Sequence, residues 1–76
     1  MKELVDYIAH ALVEHPDEVQ TTEEWDGHRY LVHLDVAQTD IGKVIGRGGR
    51  VAESIRALLK VAAARQDTRA ALDIGD

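Results

Sequence analysis

The residues best placed to do chemistry are Gly46-Arg47-Gly48-Gly49, three glycines in four positions between two stretches of helical periodicity. A turn between helices needs only one glycine, at the C-cap of the first. Further glycines cost conformational entropy, and they remove side chains so that a ligand can approach the main chain. N–H groups at the start of the next helix then point at that ligand, and the helix dipole favours an anion there. Lys43 before the turn, Arg47 inside it and Arg50 after it add formal positive charge. This combination describes a phosphate clamp of modest affinity that reads no bases.

Other chemistries fail on spacing. A nucleotide P-loop needs G-x-x-x-x-G-K-[ST], but Gly42-Lys43 is followed by Val44 and has no glycine five positions earlier. A dinucleotide fingerprint follows a strand in a parallel βαβ unit, whereas these glycines follow a helical pattern and too little chain remains for a doubly wound domain. His10 and His15 lie about 140° apart around a helix, and His28 and His33 face opposite sides of a strand. No metal ligand set converges. Asp17-Glu18 and Glu23-Glu24 read as solvated charge, Ser54 sits in mid-helix without a nucleophile elbow, and cysteine is absent. The expectation is no catalytic residue, no metal and no cofactor.

The chain has 76 residues and a net charge of −5, which taken alone argues against phosphate as a partner. The distribution reverses that inference. Residues 1–40 hold Lys2 and Arg29 against ten carboxylates, whereas residues 41–65 hold six cations against Glu53 alone. A basic segment on an acidic body points to an anion held on one side.

The elements that must position the turn follow from periodicity. Leu4, Val5, Ile8 and Leu12 predict a helix over 2–14, ended by Pro16. Asp26-Gly27 signals a two-residue hairpin between strands at 18–25 and 28–36. That turn sets Trp25 opposite His28, Glu24 opposite Arg29, Thr21 opposite Val32 and Val19 opposite Leu34. Thr39 or Asp40 caps a short helix over 40–45. A longer helix over 50–65 carries Val51, Ile55, Leu58, Leu59 and Ala62 on one side. A last strand covers 69–74. The expected core is Leu4, Ile8, Leu12, Val32, Leu34, Ile41, Ile45, Val51, Ile55, Leu58, Leu72 and Ile74. Such a core is thin, so dimerisation is a natural supplement. Trp25 reads as cover for the end of the sheet or as an anchor for a partner. Arg56 and Lys60 read as snorkelling surface cations or as a continuation of the phosphate track. No apolar run reaches the length of a membrane span, and the start of the chain lacks the pattern of a signal peptide.

The run Val44-Ile45-Gly46-Arg47-Gly48-Gly49-Arg50-Val51, preceded by Ile41-Gly42-Lys43 and followed by Ile55, resembles the signature of the KH domain. In that domain an I-G-x-x-G loop between two helices clamps single-stranded nucleic acid. The resemblance covers essentially every residue and is closest to the small stand-alone KH proteins of bacteria. It implies an α+β, type II KH fold of order α-β-β-α-α-β, with three helices on one face of a three-stranded mixed sheet and one KH domain over 1–76. It further implies a cytoplasmic, non-enzymatic binder of single-stranded RNA that acts as an RNA chaperone or post-transcriptional regulator. Gly46, Gly48 and Gly49 would allow close approach, and Lys43, Arg47 and Arg50 would supply charge. Val44, Ile45 and Val51 would floor a groove for about four nucleotides, bounded by the 40–45 helix, the start of the 50–65 helix and the edge of the 69–74 strand, with the short turn at Gln66-Asp67 as its small second jaw. The family also implies a homodimer, and a heteromer with a larger KhpB-like protein that contains a KH domain. A second reading stays open, in which the fold mainly docks a partner protein.

Overall fold

A computed structural model describes residues 1–75. Helix α1 spans Lys2–Leu12, strands β1 and β2 span Gln20–Trp25 and Tyr30–Asp35, and a short helix α2 spans Ile41–Ile45. Helix α3 covers Arg50–Arg65 and strand β3 covers Ala70–Ile74. Single 3-10 turns at Pro16–Glu18, Gln38–Asp40 and Arg47–Gly49 join them. The sheet order is β1-β2-β3, with β1 antiparallel and β3 parallel to β2. This is the α-β-β-α-α-β architecture with a mixed three-stranded sheet that the sequence leads one to expect.

One apolar cluster joins Val5 and Ala9 of α1, Val32 and Leu34 of β2, Val44 of α2, Ile55 and Leu59 of α3 and Leu72 of β3. Its members show why the predicted core needs correction. Leu12 and Leu58 are exposed, and Leu4, Ile41 and Ile45 are only partly buried. The buried line of α3 is Ala52, Ile55, Leu59 and Ala63. Alanines there let the helix approach the sheet closely, and the larger Leu58 is left on its flank, 53 % exposed. Ranking by hydrophobicity favours leucine, but the space between helix and sheet favours alanine.

The hairpin also differs. Trp25 pairs with Tyr30 and Thr21 with Leu34, so the loop holds four residues, 26–29, not two. Oδ1 of Asp26 accepts hydrogen bonds from the N–H groups of His28 (2.9 Å) and Arg29 (2.8 Å). The Asp26 N–H donates to the Arg29 carbonyl at 3.1 Å. That carboxylate stabilises the wider loop. The shift of register leaves every side chain on its expected face, because it changes the cross-strand pairing by two positions. The Trp25 and Tyr30 rings meet at 4.9 Å at the end of the sheet.

Helix α1 stops two residues short of the predicted end, and the cause lies far along the chain. Asp40 is 1 % exposed. Its two carboxylate oxygens accept from the N–H groups of Glu14 (3.1 Å) and His15 (3.0 Å). Those donors therefore leave the helix before Pro16 can end it. The same bonds correct the predicted cap, because the Asp40 side chain makes no capping bond to α2. It ties the α1–β1 connection to the entry of α2 and so fixes the base from which the glycine turn projects.

Candidate functional site

The glycine turn lies where α2 meets α3, and its three glycines do different work. All have positive φ: 77° at Gly46, 65° at Gly48 and 78° at Gly49, a region that side chains with a Cβ enter at a cost of about 1–2 kcal/mol. Beyond that shared demand they divide. A Cβ on Gly46 would stand 2.8 Å from both the Cβ and the main-chain N of Val51, whereas a Cβ on Gly48 or Gly49 would meet nothing within 4 Å. Gly46 is therefore glycine so that α3 can turn back over it. Gly48 and Gly49 leave bare backbone facing open space. Gly46 thus carries a packing demand beside the close approach expected of all three.

The turn's hydrogen bonds are incomplete. Gly46 donates to the Gly42 carbonyl at 2.9 Å and Gly49 to the Gly46 carbonyl at 3.1 Å, while the Arg50 N–H reaches the Arg47 carbonyl. No side chain caps the 3-10 turn or α3. Among the described residues, the N–H groups of Arg47 and Gly48 have no main-chain acceptor outside the elements themselves. Such donors are satisfied by water or by a ligand.

The predicted cations are brought together around this backbone, but they are not equivalent. Lys43 Nζ pairs with Glu14 Oε1 at 3.2 Å, which offsets part of its charge. Arg47 and Arg50 are exposed and, among the described residues, make no ion pair. Arg56 lies further along α3 and reaches Glu53 at 3.3 Å.

The predicted apolar floor is corrected at one position. Val44 is 0 % exposed and belongs to the core, so it supports the turn from below and offers no surface to a ligand. Ile45 and Val51 are partly buried and keep some surface beside the turn. A further feature is the line of α3 that faces β3, where the sequence allows Arg56 and Lys60 to be either surface cations or a continuation of the phosphate track. Arg56, Leu59 and Lys60 with Ala70, Ala71 and Leu72 line a cleft of about 230 Å3 there. Helical phase places Arg56 and Lys60 on one side, but only the sheet order shows that this side faces β3.

A larger cavity, about 480 Å3, lies away from the turn between α1 and β1. Glu3 and Asp6 line it beside Lys2 and His10, and Thr21 Oγ1 donates to Asp6 Oδ1 at 3.0 Å. Its carboxylates suit no anion. On the uncovered face of the sheet, His33 bridges Glu24 through Nε2 at 3.0 Å and Asp73 through Nδ1 at 3.1 Å. Hydrogen bonds accepted by the carboxylates of Glu24 and then Asp73 raise its pKa above the ordinary histidine value. No group of three or more metal-ligating side chains converges among the described residues, and none of their helices is long and apolar enough to cross a membrane.

Comparison with known proteins places this geometry in a family. The family model described as KhpA/KhpB, KH domain matches residues 2–74. A protein of Halalkalibacterium halodurans named RNA-binding protein KhpA is 49% identical over 76 residues, covering all of both chains. Proteins with the same name from Treponema pallidum and Clostridium acetobutylicum are 45% and 43% identical. They cover 99% and 97% of this chain, and 94% and 99% of their own lengths. No solved structure gives a significant match.

Proposed function

The chain belongs to the KhpA/KhpB family of KH domains, and from that premise we propose that it binds single-stranded RNA by clamping the backbone at Gly46–Gly49. The observation that carries this reading is the open, uncapped backbone at Gly48 and Gly49 beside two arginines that make no ion pair among the described residues. Phosphate oxygens accept from the free N–H groups of the turn, and Arg47 and Arg50 neutralise their charge. Lys43 adds charge at the cost of its contact with Glu14. Ile45 and Val51 offer aliphatic surface to the first bases, and Val44 holds α2 in place. The relatives are named as RNA-binding proteins, which agrees with a phosphate ligand.

The contacts are to the backbone and few in number, so binding is weak and tolerant of sequence. A chaperone or post-transcriptional regulator, which must engage and release many transcripts, suits those properties. The acidic body suppresses indiscriminate attraction of nucleic acid, so affinity depends on the turn and not on net charge.

Changing Arg47→Asp together with Gly48→Asp tests the clamp. The Cβ at position 48 enters open space, so the circular dichroism spectrum stays close to native while RNA binding is lost. Unchanged affinity in that variant would overturn the reading.

A separate observation favours self-association as well. Leu58 and Val61 lie one turn apart on α3 and are 53 % and 56 % exposed. Burying this pair in a homodimer, or against a KhpB-like KH domain, supplements a thin core. Sedimentation of the wild type and of Leu58→Glu/Val61→Glu separates a dimer from a monomer. A monomeric wild type at high concentration would reject the homodimer.

A further inference from the structure

The free edge of the sheet at β1 takes no part in the clamp. Antiparallel ladders alternate pairs that exchange hydrogen bonds with pairs that do not, and β3 fixes the phase here. The Tyr30 N–H donates to the Arg69 carbonyl, and the Leu34 carbonyl accepts from Gly75. Tyr30, Val32 and Leu34 therefore point their main-chain groups at β3. Leu31, His33 and Asp35 point theirs at β1, where their partners are Glu24, Thr22 and Gln20. That leaves Thr21, Glu23 and Trp25 with N–H and C=O groups directed away from the sheet. Among the described residues, no main-chain group outside the ladder meets them. The six residues of this edge include no proline, lysine or bulge, three of the usual blocks to an added strand.

What flanks the edge selects what binds it. Two side chains of β1 face α1: Thr21 Oγ1 donates to Asp6 Oδ1 at 3.0 Å, and Glu23 Oε1 accepts from the Lys2 N–H at 2.9 Å. By alternation Trp25 lies on the same row. It is 53 % exposed, and Tyr7, which lines the cavity between α1 and β1, is 75 % exposed. Two of the chain's three aromatics thus stand open beside one strand. On the other row, Thr22 and Glu24 border a hollow of about 420 Å3 that Asp35 and Asp73 also line. Glu3, Asp6, Glu23, Glu24 and Asp35 therefore flank the edge. Against them stand Lys2 and the N-terminal amine, which meets Glu3 at 3.0 Å and Glu23 at 3.3 Å. Two histidines add to these, His10 beside Asp6 and His33 beside Glu24. The balance stays acidic on both sides of the strand.

We propose that the β1 edge docks an extended, lysine- or arginine-rich segment of a partner protein, which joins the sheet as a fourth strand. Thr21, Glu23 and Trp25 supply the main-chain bonds. The carboxylates of both rows select cationic side chains, and Tyr7 and Trp25 offer ring surface to their stems and charges. A second copy of this chain is a poor occupant. Pairing β1 with β1 would bring Glu23 and Glu24 of both copies together, and like charges on neighbouring strands repel. The same carboxylates turn RNA away. The sheet order sets β1 and β3 at opposite edges, and the inference does not depend on the reading of the glycine turn.

Amide NMR titration at low salt with the peptide acetyl-Lys-Val-Lys-Thr-Lys-Val-Lys amide tests this. The N–H signals of Thr21, Glu23 and Trp25 should shift together and saturate, and their exchange with solvent should slow. Those of Thr22 and Glu24, already held in the ladder, should move less. The same peptide N-methylated at every residue keeps its charge but loses its main-chain donors, and should bind the wild type roughly tenfold more weakly or worse. Glu23→Gln/Glu24→Gln should weaken the unmodified peptide about fivefold. A peptide with glutamate in place of each lysine should not bind. Absence of shifts at β1, equal affinity of the methylated or the glutamate peptide, or unchanged affinity of the double variant would overturn the proposal. Movement of the three signals with protein concentration alone would overturn it in favour of a second copy. Movement with an RNA tetranucleotide would overturn it in favour of RNA, whereas the clamp stands or falls separately on the signals of Arg47 and Gly48.

Discussion

The β1–β2 loop at Asp26–Arg29 and the α2–α3 turn at Gly46–Gly49 both use glycine at positive φ to reverse the chain, but they treat their own polar groups in opposite ways. In the first, one carboxylate takes the N–H groups of His28 and Arg29 and touches the Arg29 guanidinium. In the second, no side chain caps either helical start, and Arg47 and Arg50 make no ion pair among the described residues. A loop that satisfies its own donors needs no partner to be stable. A turn that leaves donors and cations free gives up stability and gains a place for an anion. The residue types of the two turns look alike in sequence, and the difference lies in who accepts their hydrogen bonds.

The largest expected effect divides the glycines of the turn itself. Gly46→Ala combines the positive-φ cost with collision against Val51 and should destabilise the fold by about 2–4 kcal/mol in urea denaturation. Gly48→Ala meets open space and should cost about 1 kcal/mol. Equal losses at the two positions would erase the distinction between a glycine for packing and a glycine for ligand.

Asp40 gives a next, intermediate effect, because it satisfies donors at a distance. Asp40→Ala leaves the Glu14 and His15 N–H groups without their acceptor and should cost about 2 kcal/mol. It should also weaken RNA binding through the shifted base of α2. A destabilised variant with native affinity would show that the turn holds its shape independently of this tie.

Smaller still is the effect of Asp26→Ala, which removes the acceptor that closes the hairpin loop. Thermal stability should fall slightly and affinity for a tetranucleotide should not change. Loss of that affinity would break the comparison, since it would give the self-satisfied loop a part in the clamp.

The smallest effects are pH dependences of opposite sign. Glu24 and Asp73 raise the folded pKa of His33, so its contribution is fully present below the unfolded value, about 6.5, and fades as pH rises through the folded one. Asp26 is the reverse. Backbone hydrogen bonds from His28 and Arg29 lower its pKa, so its contribution is present above the unfolded value, about 3.9, and is lost as pH falls through the folded one. Asp26 is exposed and His33 half-buried at the face of the sheet, so salt will screen both. Thermal melts of His33→Gln should lose the small excess of stability near neutrality that the wild type shows over mildly alkaline pH. An unchanged profile would mean that His33 does not hold the sheet face.

Much of this was legible in the sequence because each signal was local. Gly46-Arg47-Gly48-Gly49 between helical patterns, the basic run over 41–65 and the alternation in β2 located the turn, its charge and the sheet. The failures came from long-range geometry. No local rule tells that Asp40 will serve Glu14 and His15 instead of capping α2, so the end of α1 was misplaced. The Asp26-Gly27 pair suggests a tight hairpin, but the carboxylate of Asp26 stabilises a loop of four residues. Helical phase alone could not show that Val44 is swallowed by the core, that alanines of α3 outrank Leu58 at the sheet, or that Val51 fills the space over Gly46. The cleft between α3 and β3 needs the parallel pairing of β2 with β3, which sequence spacing does not reveal.

The most direct test of the difference between the two turns is an amide NMR titration with a single-stranded RNA tetranucleotide. The N–H signals of Arg47 and Gly48, which lack an acceptor in the turn, should shift together and saturate, while those of His28 and Arg29, already engaged by Asp26, stay in place. Shifts confined to the sheet face around His33, or absent from residues 47–50 at saturating RNA, would contradict the clamp.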